Sequence, residues 1–307
     1  MAAYVPPHRR RTEKAAAAAA TGWAPAADPA AATRFVPQPR PRSAAADIFT
    51  GGAVVVNLKR RRDRMERFAS TAHHALSGCE WSRFEAIDGA TSEALADASF
   101  EARWDASRNA AYDRHCAPGP RRATNGERGC ALSHIELWRK ASALNEASWL
   151  LVCEDDCRFD ANFDRELRRI WPLVPQDAEL VYLGFSDRGP RAYDAGSENR
   201  VFTPAYGFAT HCYAIRSSAA SKFLAALPVA GPVDVWLADH GWFGACVRCT
   251  VIAGAGWRGT GSWLASQDQR PGDADVQQSS RDRPLEDEGG GVGGICAALQ
   301  ATSLDGD

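Results

Sequence analysis

In the segment Trp149-Leu150-Leu151-Val152-Cys153-Glu154-Asp155-Asp156, three carboxylates follow an apolar run. An uninterrupted apolar run of this length predicts a strand buried on both faces, as in a parallel sheet. Open α/β sheets bind their ligands at the carboxyl ends of such strands. Adjacent carboxylates repel one another, and a hard divalent cation such as Mg²⁺ or Mn²⁺ would relieve that repulsion. The simpler alternative is a solvated acidic turn that caps the next helix.

The patterns around this stretch alternate between strands and helices. Strands are predicted at 54–58, 84–87, 180–184, 212–215 and 246–252, and helices at 63–76, 129–144, 163–170 and 218–227. This alternation predicts an α/β fold with a largely parallel sheet, in one domain over residues 51–270. Residues 1–50 are rich in Ala, Pro and Arg, and residues 271–307 are rich in Gly and Asp. Both segments contain few large apolar side chains, so we expect them to be disordered.

Composition excludes some classes of function. The chain has 307 residues, of which 24% are charged, and its formal net charge is -2. The chain therefore lacks the overall positive charge that would indicate nucleic acid as its main partner. No stretch approaches the roughly 18 apolar residues of a membrane span, and no signal peptide is recognisable. By sequence alone the expected compartment is the cytoplasm.

The nine cysteines do not form a recognisable zinc-finger pattern. Cys246-Val247-Arg248-Cys249 lacks a second pair, so we interpret it as part of a half-buried strand rather than as a zinc or redox motif. Cys153 and Cys157 flank the acidic cluster. They are either soft metal ligands or small core residues, and free cysteine is commonly buried.

Several segments, taken in order, resemble glycosyltransferase family 25, which includes lipopolysaccharide-type enzymes and collagen galactosyltransferase domains. The segments that carry the resemblance are Val55-Val56-Asn57-Leu58-Lys59-Arg60 with Asp63-Arg64, Ala86-Ile87-Asp88-Gly89, Gly129-Cys130-Ala131-Leu132-Ser133-His134 with Trp138, Leu151 to Asp156, Val181-Tyr182-Leu183-Gly184, Tyr213-Ala214-Ile215 and Pro232-Val233-Asp234. The resemblance implies a GT-A-like, Rossmann-type α/β/α sandwich that binds a nucleotide sugar. It also implies sugar transfer with inversion, usually with a divalent cation. The tract 97–126 departs from the pattern and leaves the acceptor open.

The acidic cluster supplies the candidate metal ligands. If the extended backbone continues beyond the strand, Glu154 and Asp156 point to one side and Asp155 to the other. Glu154 and Asp156 would then hold the cation that neutralises the departing diphosphate. Asp155 would bind sugar or ribose hydroxyls, or orient the ligands. His240 is a further candidate ligand, since some GT-A enzymes complete the metal shell with a late histidine.

Donor binding is expected at the ends of the first two strands and at the start of the helix after residue 129. The candidates are Asn57, Arg60, Arg64, Asp88, Ser133 and His134. Arginine suits phosphate oxygens, and a helix start attracts anions. The alternatives are a solvated basic turn, an Asp-Gly turn at Asp88, and a core histidine beside a capping serine.

An inverting transfer requires a base that deprotonates the acceptor hydroxyl. Asp234 matches an acidic position of the family on the acceptor side, and its alternative role is to cap the following helix. The sequence thus predicts a hexosyltransferase that uses a UDP-sugar, UDP-galactose or a close relative, on a glycan or protein hydroxyl. The alternatives are a two-metal phosphodiesterase or nuclease, and a non-catalytic protein that binds a sugar nucleotide. The family also implies the endomembrane lumen, so the compartment stays open.

Overall fold

The protein consists of a central sheet with helices on both faces. The computed structural model describes residues 42–193, 200–240, 249–252 and 264–267. The strands are β1 (Ala53–Asn57), β2 (Trp81–Glu85), β3 (Phe100–Glu101), β4 (Arg103–Asp105), β5 (Pro120–Arg122), β6 (Leu150–Glu154), β7 (Cys157–Phe159), β8 (Leu180–Tyr193), β9 (Val201–Ile215), β10 (Val229–Ala230), β11 (Cys249–Ile252) and β12 (Ala265–Gln267). The helices are α1 (Ala44–Ile48), α2 (Arg62–Ala75), α3 (Ser92–Ala96), α4 (Ser107–Ala110), α5 (Asn125–Ser142), α6 (Phe163–Ile170), α7 (Ser217–Ala225) and α8 (Val233–Asp239), and a 3₁₀ turn follows α6 at Trp171–Leu173.

The main sheet has the strand order β11-β8-β9-β6-β1-β2. Strand β1 pairs in parallel with β2 and β6, whereas β9 runs antiparallel to β6 and β8. The α/β class is therefore confirmed, with parallel pairing among β2, β1 and β6 and between β8 and β11. The predicted strands at 180–184 and 212–215 are parts of the much longer β8 and β9.

The parallel pairing brings the candidate residues to one edge of the sheet. Val56 of β1 lies opposite Glu154 of β6, so both strands end at the same level. Asn57 closes β1, and the carboxylate cluster begins at the last residue of β6. The sequence prediction of a ligand site at these strand ends is consistent with this register.

Two apolar cores lie on opposite faces of the sheet. Along β1, Val54 and Val56 face one core and Val55 faces the other, because successive strand side chains point to opposite faces. The first core packs α5, α7 and α8, with Trp138 fully buried between Phe223 and Trp236. The second packs α1, α2 and α6. This arrangement is the α/β/α sandwich that the sequence predicts.

The folded part begins earlier than residue 50. Helix α1 starts after Ser43, whose hydroxyl accepts the N–H of Ala46, and Asp164 Oδ1 accepts the N–H of Ala44 at 2.5 Å. Ala44, Ala45 and Ala46 are buried. Alanine lets a helix pack closely against its neighbours, so an alanine-rich composition did not mean disorder here. Residues 44–48, which belong to the segment expected to be disordered, thus form a buried helix.

Helix α5 also begins earlier than predicted, at Asn125 rather than Gly129. Thr124 caps it: its hydroxyl accepts the N–H of Glu127, and the Glu127 carboxylate accepts the N–H of Thr124. This capping box satisfies backbone donors at the helix start. The spacing Thr-x-x-Glu at 124–127 is the sequence signal for this start.

Some predictions fall on residues beyond those described. Cys246, residues 1–41 of the first predicted tail and the segment 271–307 lie there, and the strand predicted at 246–252 is described only over Cys249–Ile252. In the described part of the chain, no helix combines the length and the apolar character that a bilayer crossing requires.

Candidate functional site

A cavity of about 960 Å³ opens at the carboxyl ends of β1 and β6. It gathers most of the residues singled out from the sequence. Those that line it are Arg60, Arg64, Asp88, Ser133, Glu154, Asp155, Asp156 and Asp234. Asn57 and His134 lie just behind the wall, each hydrogen-bonded or ion-paired to one of the carboxylates. His240 is not among the lining residues.

The three carboxylates do not alternate as an extended chain would. Strand β6 ends at Glu154, and Asp155 and Asp156 form a turn before β7. Both aspartates therefore reach the same partner, Arg64, whereas Glu154 faces a different set of groups. The alternation expected for a continuing strand does not occur, because β6 ends at Glu154 and the next two residues form a turn, but all three side chains line the cavity.

Arg64 neutralises two buried aspartates. Its Nη2 lies 2.6 Å from Asp155 Oδ1 and 3.0 Å from Asp156 Oδ2. Asn57 donates its side-chain N–H to Asp155 Oδ2 at 2.6 Å. Burial nevertheless raises the pKa of Asp155 to about 6, against the opposing effects of Arg64 and Asn57. Burial and the charge of Glu154 also raise the pKa of Asp156. An additional cation would favour the ionised form of both groups.

Glu154 is held in its charged form by hydrogen-bond donors. Thr210 donates its hydroxyl to Glu154 Oε1 at 2.7 Å, and His134 Nε2 lies 3.4 Å from the same oxygen. Burial raises the pKa of Glu154, but the bonds from His134 and Thr210 outweigh it and lower the pKa to about 2. Glu154 is therefore an ionised carboxylate at the cavity wall.

A buried chain of hydrogen bonds fixes the ring of His134. Trp138 Nε1 donates to the Tyr213 hydroxyl at 3.2 Å, and that hydroxyl lies 2.8 Å from His134 Nδ1. An ionised Glu154 only accepts hydrogen bonds, so Nε2 is the nitrogen that carries a proton towards it. Tyr213 then donates to Nδ1. His134 is fully buried, does not line the cavity, and contacts Glu154 from behind the cavity wall.

The buried polar atoms at this site suit a hard divalent cation. Asp156 Oδ2 accepts a hydrogen bond from Gln267 at 3.0 Å. Asp156 Oδ1 and Asn57 Oδ1 are buried without a hydrogen-bond partner among the described residues. Such orphaned oxygens are costly unless something fills their coordination. Oxygen atoms from carboxylates and an amide are the ligands that Mg²⁺ and Mn²⁺ prefer, so the residues fit such an ion.

Ser133 anchors the loop that carries Asp88. Its hydroxyl accepts the N–H of Ile87 at 2.9 Å and donates to the carbonyl of Gly129 at 2.7 Å. The loop and helix α5 approach each other backbone to backbone, since a side-chain carbon at Gly129 would collide with the Ile87 carbonyl. Ser133 thus positions the cavity wall, in addition to lining it.

Arg60 and Asp88 form an ion pair at the exposed rim of the cavity. Arg60 Nη1 lies 2.6 Å from Asp88 Oδ2, and both side chains are about half exposed, at 53% and 45%. Hydrogen bonds from the Ala90 N–H and from Arg60 lower the pKa of Asp88. Exposed pairs of this kind are weak and open easily to a ligand.

Asp234 lies on the opposite wall, in the first turn of α8. Its Oδ2 accepts the N–H of Ala209 at 2.8 Å, and its Oδ1 accepts the N–H of Val235 at 2.9 Å. Ala209 has φ +67°, the single non-glycine residue with positive φ in the described ranges. Such strain costs about 1–3 kcal/mol and tends to be kept at functional sites. The strained amide holds Asp234 towards the cavity.

His240 and Asp239 are engaged away from the carboxylates. His240 follows the last residue of α8, is exposed, and its Nδ1 lies 2.9 Å from the Trp236 carbonyl. Asp239 Oδ1 accepts the Tyr206 hydroxyl at 2.8 Å. The structure therefore does not bring His240 together with Glu154 and Asp156.

Thr210 and Gln267 contact the carboxylates but carry no signal in the sequence. Thr210 lies 56 positions after Glu154, and Gln267 lies 111 positions after Asp156. Only the pairing of β6 with β9 and of β7 with β12 brings them to the site. A local motif search has no means of finding such contacts.

The resemblance seen in the sequence is confirmed by comparison with known proteins. The family model described as glycosyltransferase family 25 (LPS biosynthesis protein) matches residues 52–237. The human protein named inactive glycosyltransferase 25 family member 3 is 33% identical over 212 residues, which are 64% of this chain and 33% of that protein. Mouse procollagen galactosyltransferase 2 is 30% identical over 190 residues, 60% of this chain and 29% of that protein. A glycosyltransferase 25 family member from Aedes aegypti is 28% identical over 210 residues, 66% of this chain and 32% of that protein.

The chain spans about a third of the length of the curated relatives it matches. The family match runs from just before β1 into α8, and so contains both walls of the cavity. It covers well over half of the chain. The chain belongs to glycosyltransferase family 25.

Proposed function

We propose that this protein is a metal-assisted, inverting glycosyltransferase. It moves a sugar from a nucleotide sugar, UDP-galactose or a close relative, to a hydroxyl group of a glycan or a protein. The observation that carries the proposal is the cavity at the ends of β1 and β6, which combines three acidic side chains with Arg60 and Arg64. A cavity of about 960 Å³ is at the upper end of the size range of small-molecule sites and has room for a nucleotide sugar.

Donor binding draws on the basic and polar rim. Arg60 exchanges its weak pairing with Asp88 for diphosphate oxygens, which arginine binds in a bidentate manner. Asp88 is then free to accept a hydroxyl of the ribose or the base. Arg64 keeps Asp155 and Asp156 in place, and Asp155 acts by orienting Arg64 and Asn57.

Glu154 and Asp156, with Asn57 behind them, are the residues that would hold the cation. When bound there, a divalent cation supplies Lewis-acid stabilisation of the negative charge on the departing diphosphate. Thr210, His134 and Gln267 keep the two carboxylates fixed. The side chains therefore need little rearrangement during the reaction, which is the basis of electrostatic catalysis.

Asp234 is the proposed general base. The acceptor hydroxyl gives its proton to an Asp234 oxygen, and the hydroxyl oxygen forms a bond to the anomeric carbon. The bond from that carbon to the diphosphate breaks on the opposite face, and the nucleoside diphosphate leaves with the electron pair. Two backbone N–H groups orient Asp234 for this step. A positioned base of this kind contributes about 10²- to 10⁴-fold to the rate.

The nuclease alternative is less well supported. A two-metal mechanism requires a second cluster of ligands near the first. The diffuse group Asp234, Asp239 and His240 is the candidate, but Asp239 bonds to Tyr206 and His240 to the Trp236 carbonyl. Neither of these two lines the cavity.

A non-catalytic role is the second candidate function, because a relative at 33% identity carries the name inactive glycosyltransferase 25 family member 3. Such a protein would bind the sugar nucleotide without transferring the sugar. The intact Glu154-Asp155-Asp156 cluster and a well-held Asp234 support catalysis instead.

A panel of nucleotide sugars, with and without Mn²⁺, separates these functions. We expect Mn²⁺-dependent loss of sugar from one UDP-sugar, slow with water and faster with an acceptor glycan or peptide, and an inverted anomeric configuration in the product by NMR. Cleavage of phosphodiesters without donor selectivity supports the nuclease. Binding without turnover for every donor and acceptor supports the non-catalytic role.

A further inference from the structure

Three cysteines converge beneath the carboxylate cluster. Cys153 precedes Glu154 in β6, Cys157 opens β7 after the Asp155–Asp156 turn, and Cys212 lies opposite Cys153 on β9. Their sulfur atoms all lie within 4.8 Å of one another, and all three residues are buried. Three strands thus each contribute one thiol to a single point in the core.

The spacing of the thiols matches a thiolate metal site. Sulfur atoms bound to zinc at about 2.3 Å in a tetrahedral arrangement lie about 3.8 Å apart. The sulfur atoms of Cys153 and Cys212 are 3.9 Å apart. The third thiol needs only a small adjustment to complete three corners of a tetrahedron.

The residue before Cys212 is a buried histidine. His211 precedes Cys212 and is 3% exposed, and neither of its ring nitrogens has a hydrogen-bond partner in the ranges that the structure describes. A side-chain carbon at Gly184 would collide with His211 Nε2, and Gly184 pairs with Cys212 across β8 and β9. The ring nitrogens of His211 are not within 4.8 Å of all three sulfur atoms, so the ring has to turn towards the cysteines to bind the same ion.

We propose that Cys153, Cys157 and Cys212 bind one Zn²⁺ ion, and that His211 becomes the fourth ligand when its ring turns towards the sulfur atoms. Three cysteines and one histidine are a common ligand set for structural zinc. On binding, each of the three thiols gives its proton to solvent and its sulfur lone pair to the ion. No oxidation or reduction takes place. The site differs from the cavity site, whose oxygen ligands suit a hard cation.

The zinc site would hold the carboxylates in place. Its ligands flank the segment Glu154–Asp156 on both sides and tie β6, β7 and β9 together. With the ion bound, the turn that carries Asp155 and Asp156 is fixed at both of its ends. Its predicted role is structural, and it does not depend on the proposed transferase activity.

Metal content and cobalt spectroscopy test the proposal on the full chain. After reduction and dialysis against Zn²⁺, we expect at least one firmly bound zinc that is lost when Cys157→Ala or Cys212→Ala is introduced. Replacement by Co²⁺ should give a thiolate-to-cobalt charge-transfer band and intense visible bands of tetrahedral cobalt. His211→Ala should change the visible bands, because the fourth ligand becomes water.

The controls separate this site from others. C79A, which removes a buried cysteine outside the trio, and C246S/C249S, which removes the Cys-x-x-Cys sequence, should both keep the charge-transfer band. E154Q/D156N should keep it as well, because the cavity site uses oxygen ligands. Absence of the band from the unchanged chain overturns the proposal whether or not C157A folds. The proposal is also overturned if the band is lost only in C246S/C249S, or if protein isolated without air contains a Cys153–Cys212 disulfide.

Discussion

The guanidinium of Arg64 lies 2.6 Å from Asp155 and 3.0 Å from Asp156, so one positive charge serves two buried carboxylates. Glu154 lies next to them and keeps its charge through separate hydrogen bonds. The cluster therefore carries three acidic groups and one basic group. A divalent cation would balance it, and this balance is the physical reason to expect metal binding.

Arg64→Ala should lower stability and make it depend on the metal. Removal of one partner of a buried ion pair costs about 3–5 kcal/mol of folding free energy, because the remaining charges stay buried without an opposite charge. Mn²⁺ should then raise the melting temperature of R64A more than that of the unchanged chain, since the ion replaces part of the lost charge. Differential scanning calorimetry with and without Mn²⁺ measures both effects.

Arg67→Ala is the matched control for R64A. Arg67 lies on the same helix and pairs with Asp63, which is 53% exposed, at 3.5 Å. Loss of a pair like this costs at most about 1 kcal/mol. Equal destabilisation of R64A and R67A, or equal Mn²⁺ effects on the two, would contradict the assignment of Arg64.

Thr210→Val should weaken Mn²⁺ binding without unfolding the protein. Valine has nearly the same shape but cannot donate to Glu154 Oε1, so the carboxylate loses its shortest hydrogen bond. Removal of a group that orients a metal ligand typically lowers metal affinity about 10- to 100-fold. Thr210→Ser retains the hydroxyl and should bind Mn²⁺ nearly as well as the unchanged chain. Titration calorimetry distinguishes the two, and equal affinities would show that Thr210 does not support Glu154.

Gly129→Ala should destabilise the protein and loosen the donor site. The added carbon collides with the Ile87 carbonyl, and neither backbone can move without breaking the bonds to Ser133. Forced packing of this kind costs about 1–3 kcal/mol. Gly119→Ala is the comparison: its φ of +107° makes alanine strained, but nothing lies within 4 Å of the new carbon. Urea unfolding should show both losses, and only G129A should also weaken nucleotide binding.

Asp234→Asn should reduce turnover while leaving the donor bound. The amide cannot accept the acceptor proton and keeps an oxygen for only one of the N–H groups of Ala209 and Val235, so kcat should fall about 10²- to 10⁴-fold with little change in the Kd for the nucleotide sugar. Asp239→Asn, a few residues along α8, keeps an oxygen that accepts the Tyr206 hydroxyl and should alter kcat far less. If D239N lost activity and D234N retained it, Asp234 would not be the base.

The sequence is a good guide to the strands that carry the site. The apolar runs at 54–58 and 149–153 predict β1 and β6, and their parallel pairing brings Asn57 to Asp155. Both strands are covered on their two faces, and a continuous apolar run is the composition expected of such an interior strand. The acidic cluster follows directly from the end of one run.

The contacts that orient the carboxylates lie beyond sequence reasoning. The turn after Glu154 places Asp155 and Asp156 on Arg64, although an extended chain would separate them. Histidine can bind a nucleotide-sugar donor directly, but His134 is buried behind Glu154 and contacts that carboxylate instead. His240 also has the right type, but its ring bonds to its own helix. The type of a residue indicates which chemistry its side chain can perform. Whether that side chain is buried, and where it points, depends on contacts between segments that are far apart in the sequence.

We propose that Glu154 and Asp156 hold a cation through which a nucleotide sugar binds. The decisive measurement is titration calorimetry of UDP-galactose into the unchanged chain and into E154Q/D156N, each with and without Mn²⁺. We expect binding that requires Mn²⁺ in the unchanged chain and is lost in the double variant, while the double variant remains folded. Equal binding by the two proteins, or binding that ignores Mn²⁺, would contradict it.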